Sequence, residues 1–206
     1  MNRKVFDKLA SIGGVLIVVV LAVAGALLLV GANFANSNVH NQLAEQQITF
    51  PSAAAFAHPN GTEITTSMIP TVSRYAGQQM TTGAQAEVYA NDFIAVHLGE
   101  IGGGKTYAQL SAAAMALPKG SAAYTAAEAK VQTDFQGTTL RGLLLEAYGF
   151  SVMGEIATWA AAAAFALAGL MALLVLFGIA HARRTDEAKE LFAPQVRTGA
   201  KTLVTT

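Results

Sequence analysis

The apolar positions of this chain gather into two long runs rather than being dispersed along it. Between residues 10 and 44 the only titratable side chain is His40, and residues 12–34 are almost wholly Val, Leu, Ile, Ala and Gly. A second uncharged run extends from residue 156 to residue 180. Each exceeds the roughly 20 residues an α-helix needs to cross about 30 Å of hydrocarbon. Buried helices of soluble domains seldom keep such lengths without a charge, so two transmembrane helices are expected, over residues 11–34 and 156–180. A cleaved signal peptide is the competing reading of the first run. It would use Arg3, Lys4 and Lys8 as its basic flank, with cleavage near Ala32 or Ala35. The run is longer than the usual apolar core of about 7–15 residues, which favours a retained anchor.

The segment between the runs is patterned differently. Residues 36–83 are polar, rich in Gln, Thr and Ser, and contain Pro51, Pro59 and Pro70. "NSNVHNQLAEQQ" has no breaker, so the first helix should continue some turns past the apolar run. "ITFP" should end it, because Pro51 disfavours helix at the residue before it. Asn60-Gly61 is a turn signal; with Thr62 it also spells an N-glycosylation acceptor, and the turn is the preferred reading. From Ala84 the spacing of Val88, Tyr89, Ile94, Val96, His97 and Ile101 predicts an amphipathic helix ended by Gly102-Gly103-Gly104. Thr106 with Gln109 forms a capping-box pattern that opens another helix, stopping before Pro118. A second such pattern, Thr125 with Glu128, should start "AAEAKVQTDF". Beyond Gly137, the positions Leu140, Leu143, Leu144, Ala147 and Phe150 keep helical spacing into the second apolar run. No alternating strand is evident.

The expected fold is therefore an all-α membrane protein, two transmembrane helices with a helical segment between them. Lys and Arg set the orientation. Arg3, Lys4 and Lys8 precede the first run, and Arg183, Arg184 and Lys189 follow the second. By the positive-inside rule, residues 1–10 and 181–206 face the cytoplasm and residues 35–155 form an extracytoplasmic segment of a cytoplasmic-membrane protein. Tyr148, Phe150 and Trp159 then fall near the outer interface. Composition adds two exclusions. The 206 residues carry 13 basic and 13 acidic side chains, 13% charged in all, against about 25% for an average soluble protein. Zero net charge offers no basic face for nucleic acid. The absence of cysteine removes disulfides, thiolate metal sites and cysteine nucleophiles.

One stretch spells chemistry. "LGEIGGGKTY", residues 98–107, matches the phosphate-loop pattern, with Gly99, Gly104, Lys105 and Thr106 in register. Such a loop needs a buried strand before it, a helix after it, and a second acid at the end of another apolar strand to complete the magnesium site. "FIAVHL" passes for the strand, but Asp92 precedes its apolar run and Asp134 sits in a polar helix. The segment is also too strand-poor for a parallel α/β sheet. A nucleotide-binding enzyme through residues 99–106 is thus a remote alternative to a glycine link in which Thr106 caps the next helix. His40, His58, His97 and His181 have no metal-ligand spacing. A zinc or iron site would need His40, His58 and His97 to converge with Glu63 or Asp92. No nucleophile elbow or acid–base pair stands out, and no cofactor is expected.

Neither apolar run contains a charged residue, which argues against a transporter acting alone. Small residues are the positive signal in the spans. Ala160, Ala164, Ala168 and Ala172 recur every fourth residue with Gly169 beside them, and the first run offers Ala22, Gly25 and Ala26. Small residues at this spacing let helix backbones approach closely. They are expected to pack the two spans on each other, or to dock a partner.

The stretches "YANDFIAVHLGEIGGGKTYAQLS" and "FQGTTLRGLLLEAYGFSVMGEIA" resemble a group of small actinobacterial membrane proteins with two spans and an outer helical segment. The resemblance covers residues 85–180 and implies an actinobacterial cell envelope. Some of that group circulate as aromatic ring-opening dioxygenases, but the His/His/Glu iron constellation of such an enzyme is not visible in this sequence. The expected function is a non-enzymatic accessory or structural subunit of a larger cytoplasmic-membrane complex or self-assembly, a respiratory assembly being one host by class. An extracytoplasmic ligand-binding or sensory module is the alternative. The tail after Arg183 is too short for a signalling domain.

Overall fold

The structure, a computed structural model, describes residues 3–61 and 63–184. Thr62 of the acceptor pattern, Lys189 of the basic flank and most of the 181–206 tail lie outside the described residues. Among those described, every regular element is helical. They are α1 (Arg3–Glu45), α2 (Ala53–Ala57), α3 (Ile69–Val72), α4 (Gly83–Val88), α5 (Ala95–Gly102), α6 (Tyr107–Met115) and α7 (Ala122–Arg184). A 3₁₀ turn follows α3, and a π-helical turn, Tyr89–Ile94, joins α4 to α5.

α1 has 43 residues and α7 has 63, roughly 65 and 95 Å at 1.5 Å per residue. Both are long and apolar enough to cross a membrane. Only 11% of the most apolar window in α1, and 17% of that in α7, is buried. A core helix of a soluble domain would show the reverse, since it exists to hide such side chains.

The chain divides into two compact units. The first holds the described residues up to Leu27 and from Ala160 onward. Here the helices touch through small residues: Gly14 lies against Val175, and Gly25 against the Phe165 ring. On α7 the buried and half-buried positions Ala161, Ala164, Ala168, Met171, Val175 and Gly178 alternate steps of three and four. On α1, Ser11, Gly14, Val18, Leu21 and Gly25 do the same. This 3.5-residue average keeps one seam facing its partner along a supercoil. Val15, Leu16, Val19 and Val23 on α1, and Leu167, Leu170, Leu174 and Phe177 on α7, point outward and are exposed.

The second unit, Leu28–Trp159, has a core of its own. Val39 and Leu43 of α1, Phe50, Phe56, Met68, Val72, Met80, Val88, Ile94 and Leu144 of α7 form one buried cluster. An aromatic chain runs through it, Tyr75–Phe50–Tyr89–Phe93–His97, with ring centroids 4.5–5.2 Å apart. α1 ends at Glu45, earlier than the proline reading placed it. Gln47 turns to a left-handed φ of 53°, and the chain then pairs with residues 78–80. The Phe50 N–H donates to Gln78 O (2.9 Å), and the Met80 N–H to Ile48 O (2.8 Å). Burial of Phe50 and these backbone bonds stop the helix before Pro51 acts.

The amphipathic segment expected from Ala84 starts one residue earlier, on a capping box. Thr82 Oγ1 accepts from the Gln85 N–H, and Gln85 Oε1 accepts in return from the Thr82 N–H. It is also not a uniform α-helix, because the π turn widens it where Tyr89 and Phe93 enter the core. Val88 and Ile94 are buried there, whereas Ile101 is exposed. α7 begins at Ala122 on Ser121, whose Oγ accepts from the Tyr124 N–H at 3.1 Å. The expected start at Thr125 is corrected: its hydroxyl donates to Ser121 O inside the first turn. α7 then runs unbroken through Gly137.

Candidate functional site

The small residues singled out in the two runs take different places. Gly25 is buried, with the Phe165 ring about 3.1 Å from where a Cβ would stand. Ala168 is buried and Ala22, Ala160, Ala164 and Ala172 are half-buried. Ala26 and Gly169 lie on exposed faces, and nothing stands within 4 Å of a Cβ at Gly169. Ala161, absent from the expected set, is almost fully buried. The reason is angular. A step of four residues advances about 40° past a full turn, so an every-fourth pattern drifts around the helix. Steps alternating three and four residues stay on the seam. That alternation was present in the sequence as Gly154, Ala157, Ala161, Ala164 and Ala168.

In the second unit, the C-terminal part of α1 and the middle of α7 flank a groove of about 450 Å³. Its apolar wall includes Val39, Leu143, Leu144, Ala147 and Phe150, and its rim includes Asn38, Gln42 and Glu146. Asn38 Oδ1 already accepts from Gln42 Nε2 at 2.7 Å. Leu143, Phe150 and Met153 are 58%, 48% and 64% exposed. Spaced by seven and three residues, they share one face of α7. Leu143 and Phe150 line the groove, and Met153 continues this apolar stripe along α7, beside a core that covers them only in part. Exposed apolar surface of this kind, rimmed by polar groups, is the usual mark of an interaction site.

A polar joint fastens α7 to the π turn. Arg141 Nη2 donates to Asn91 Oδ1 at 2.9 Å, while Arg141 Nε is buried without a hydrogen-bond acceptor among the described residues. Asp134, two helical turns before Arg141, is only 4% exposed. Between them, Gly137 admits Leu98 so closely that a Cβ would meet its Cδ2 at 2.5 Å. Beside this joint lies a second concavity of about 330 Å³, lined by Phe93, His97, Leu98, Thr133, Gln136 and Leu140. His97 Nδ1 lies 2.8 Å from Phe93 O. A carbonyl only accepts, so Nδ1 carries a proton and donates to it. Burial raises the Tyr89 phenol above its ordinary range.

The four histidines do not converge. His40, His58 and His181 are exposed and His97 is half-buried. Among the described residues no three His, Asp or Glu side chains are grouped to hold a metal ion.

The glycine-rich stretch has the wrong surroundings for a phosphate. A helix, not a strand, precedes it. Gly103 and Gly104 take left-handed φ angles of 60° and 73°, which only glycine adopts without cost. The N–H groups a phosphate would need are already engaged in closing one helix and opening the next. Gly104 N–H donates to Gly99 O (2.8 Å), Gly103 N–H to Glu100 O (3.3 Å) and Lys105 N–H to Gly102 O (3.3 Å). Thr106 N–H donates to Gln109 Oε1 (3.0 Å), and Thr106 Oγ1 accepts from the Gln109 N–H. Lys105 is exposed.

Comparison of this chain with protein-family models, with curated proteins and with solved structures finds no match.

Proposed function

We propose that this chain is a non-enzymatic accessory or structural subunit of a larger cytoplasmic-membrane complex. In this assignment α1 and α7 cross the bilayer, both termini are cytoplasmic, and residues 35–155 form an extracytoplasmic cap. The stripe of Leu143, Phe150 and Met153 carries it. These side chains precede the second apolar run, so lipid covers them poorly, and the second unit leaves about half or more of each exposed. A neighbouring membrane protein with an apolar ridge of its own fits the groove between α1 and α7. The Leu- and Val-rich faces of the spans suit lipid, and the small-residue seam holds the two spans together. Purification of a tagged full chain in mild detergent, followed by mass spectrometry, tests the assignment. A photo-crosslinking residue at position 143 is expected to label one membrane protein reproducibly. Recovery of the monomer alone, under conditions that preserve other membrane complexes, would count against it.

A second reading, an extracytoplasmic ligand-binding module, draws on the 330 Å³ concavity, where His97, Thr133 and Gln136 stand among apolar side chains. Native mass spectrometry of the purified chain distinguishes it. A co-purified small molecule lost on His97→Ala supports a ligand site.

A further inference from the structure

We infer that the first unit holds an aminophospholipid headgroup of the ethanolamine type, bound between α1 and α7 at the end carrying Lys8 and Arg183. Three observations converge there. A cavity of about 320 Å³ is walled by Ile12, Ile179 and Ala182 and edged by Asp7, Lys8 and Arg183. Asp7 Oδ2 is buried and has no hydrogen-bond partner among the described residues. Ser11, the nearest hydroxyl on α1, is directed to the backbone instead: its Oγ donates to Asp7 O at 2.8 Å.

The charges select the headgroup. Lys8 and Arg183 flank the apolar spans, where basic side chains meet lipid phosphates. A purely anionic lipid would satisfy them but would set its phosphate beside the Asp7 carboxylate. A zwitterion resolves this conflict, with its phosphate toward Lys8 and Arg183 and its ammonium on Asp7. The ammonium must carry hydrogens, because an orphaned carboxylate needs a donor and a charge-assisted hydrogen bond is the strong kind. Trimethylated choline has no N–H to offer. Asp7 edges the cavity, and because the last torsion of a carboxylate is broad, a half-turn that exchanges its two oxygens would bring the buried one to the headgroup. Ile12 and Ile179 then line the path of the first acyl carbons.

This assignment rests on the membrane placement of the two helices but not on any protein partner, so either can fail alone. The test reconstitutes the full chain in detergent with equimolar dioleoyl phosphatidylethanolamine, phosphatidylcholine and phosphatidylglycerol, and reads retained lipid by native mass spectrometry. Retention of the ethanolamine lipid about tenfold above the choline lipid is expected, the scale of one charge-assisted contact. Asp7→Asn should abolish that preference, and Lys8→Gln with Arg183→Gln should lower retention of all three lipids. Circular dichroism should show unchanged helix content in both variants. Equal retention of ethanolamine and choline lipids, a preference for phosphatidylglycerol, or an unchanged preference in Asp7→Asn would overturn the inference. Soluble glycerophosphoethanolamine is a further arm: competition as strong as the lipid's would overturn the lipid assignment, and weak competition supports it.

Discussion

Leu143 and Leu144 are neighbours on α7 with opposite surroundings, and the pair separates folding from docking. Leu144 is 3% exposed and packs into the core of the second unit, whereas Leu143 is 58% exposed on the stripe. Truncating a buried leucine removes its transfer free energy and leaves a cavity, so Leu144→Ala should cost about 2–5 kcal/mol. The loss falls on the unit in which α7 packs with Val39, Leu43 and Met68. Leu143→Ala removes little from that core and should change stability by less than about 0.5 kcal/mol. Its effect belongs to the complex. Burying a whole leucine is worth about 1.5–3 kcal/mol, so covering the exposed part of Leu143 contributes about 1–2 kcal/mol, a 5- to 30-fold change in affinity. Hydrogen exchange across α4 and α5 measures the first effect, and quantitative recovery of the partner that co-purifies in mild detergent, with no crosslinking residue at position 143, measures the second. Leu144→Ala should speed exchange throughout the cluster, and Leu143→Ala should leave exchange unchanged while lowering recovery. Full recovery with Leu143→Ala would refute the docking role, and unchanged exchange in Leu144→Ala would refute the packing.

The remaining predictions concern other joints. Thr106→Ala should cost about 1 kcal/mol by removing the cap of α6, whereas Lys105→Ala should leave thermal stability and fluorescent-ATP binding at the level of the unaltered chain. Magnesium-dependent nucleotide binding lost in Lys105→Ala would restore the phosphate loop. Gly25→Leu should destabilise the helix pair by about 1–3 kcal/mol through overpacking on Phe165, and Gly169→Leu, on an open face, should be near neutral in the same detergent melt. The raised Tyr89 pKa has a defined sign. Its contribution to stability is complete below pH 10, the unfolded phenol's range, and is lost as pH rises through the folded value, because the unfolded chain releases the proton first. Alkaline unfolding followed by circular dichroism should therefore lose part of its pH dependence in Tyr89→Phe.

Local signals located most of the helices. The two apolar runs, the Gly102-Gly103-Gly104 stop and the Thr106–Gln109 cap each act within a few residues, and the structure places helices and breaks accordingly. The Ser121 cap was equally local and was hidden by the competing pattern at Thr125. A period of four along α7 passes over Ala161, because the seam averages 3.5 residues. Other features had no local signal. The π turn at Tyr89–Ile94 depends on how Tyr89, itself stacked on Phe93, packs against Phe50, some 40 residues earlier in the chain. The end of α1 depends on backbone pairing with residues 78–80.

By itself, then, the sequence determined helix content, the two apolar lengths and the places where helices break, because propensity, hydropathy and capping act over neighbouring residues. Only the tertiary structure decided which side chains are covered. It separated Leu144 from Leu143, left Asp7 Oδ2 without a hydrogen-bond partner among the described residues, and engaged the N–H groups of the glycine link. Burial depends on what stands opposite a residue, and that is supplied by segments distant in the chain.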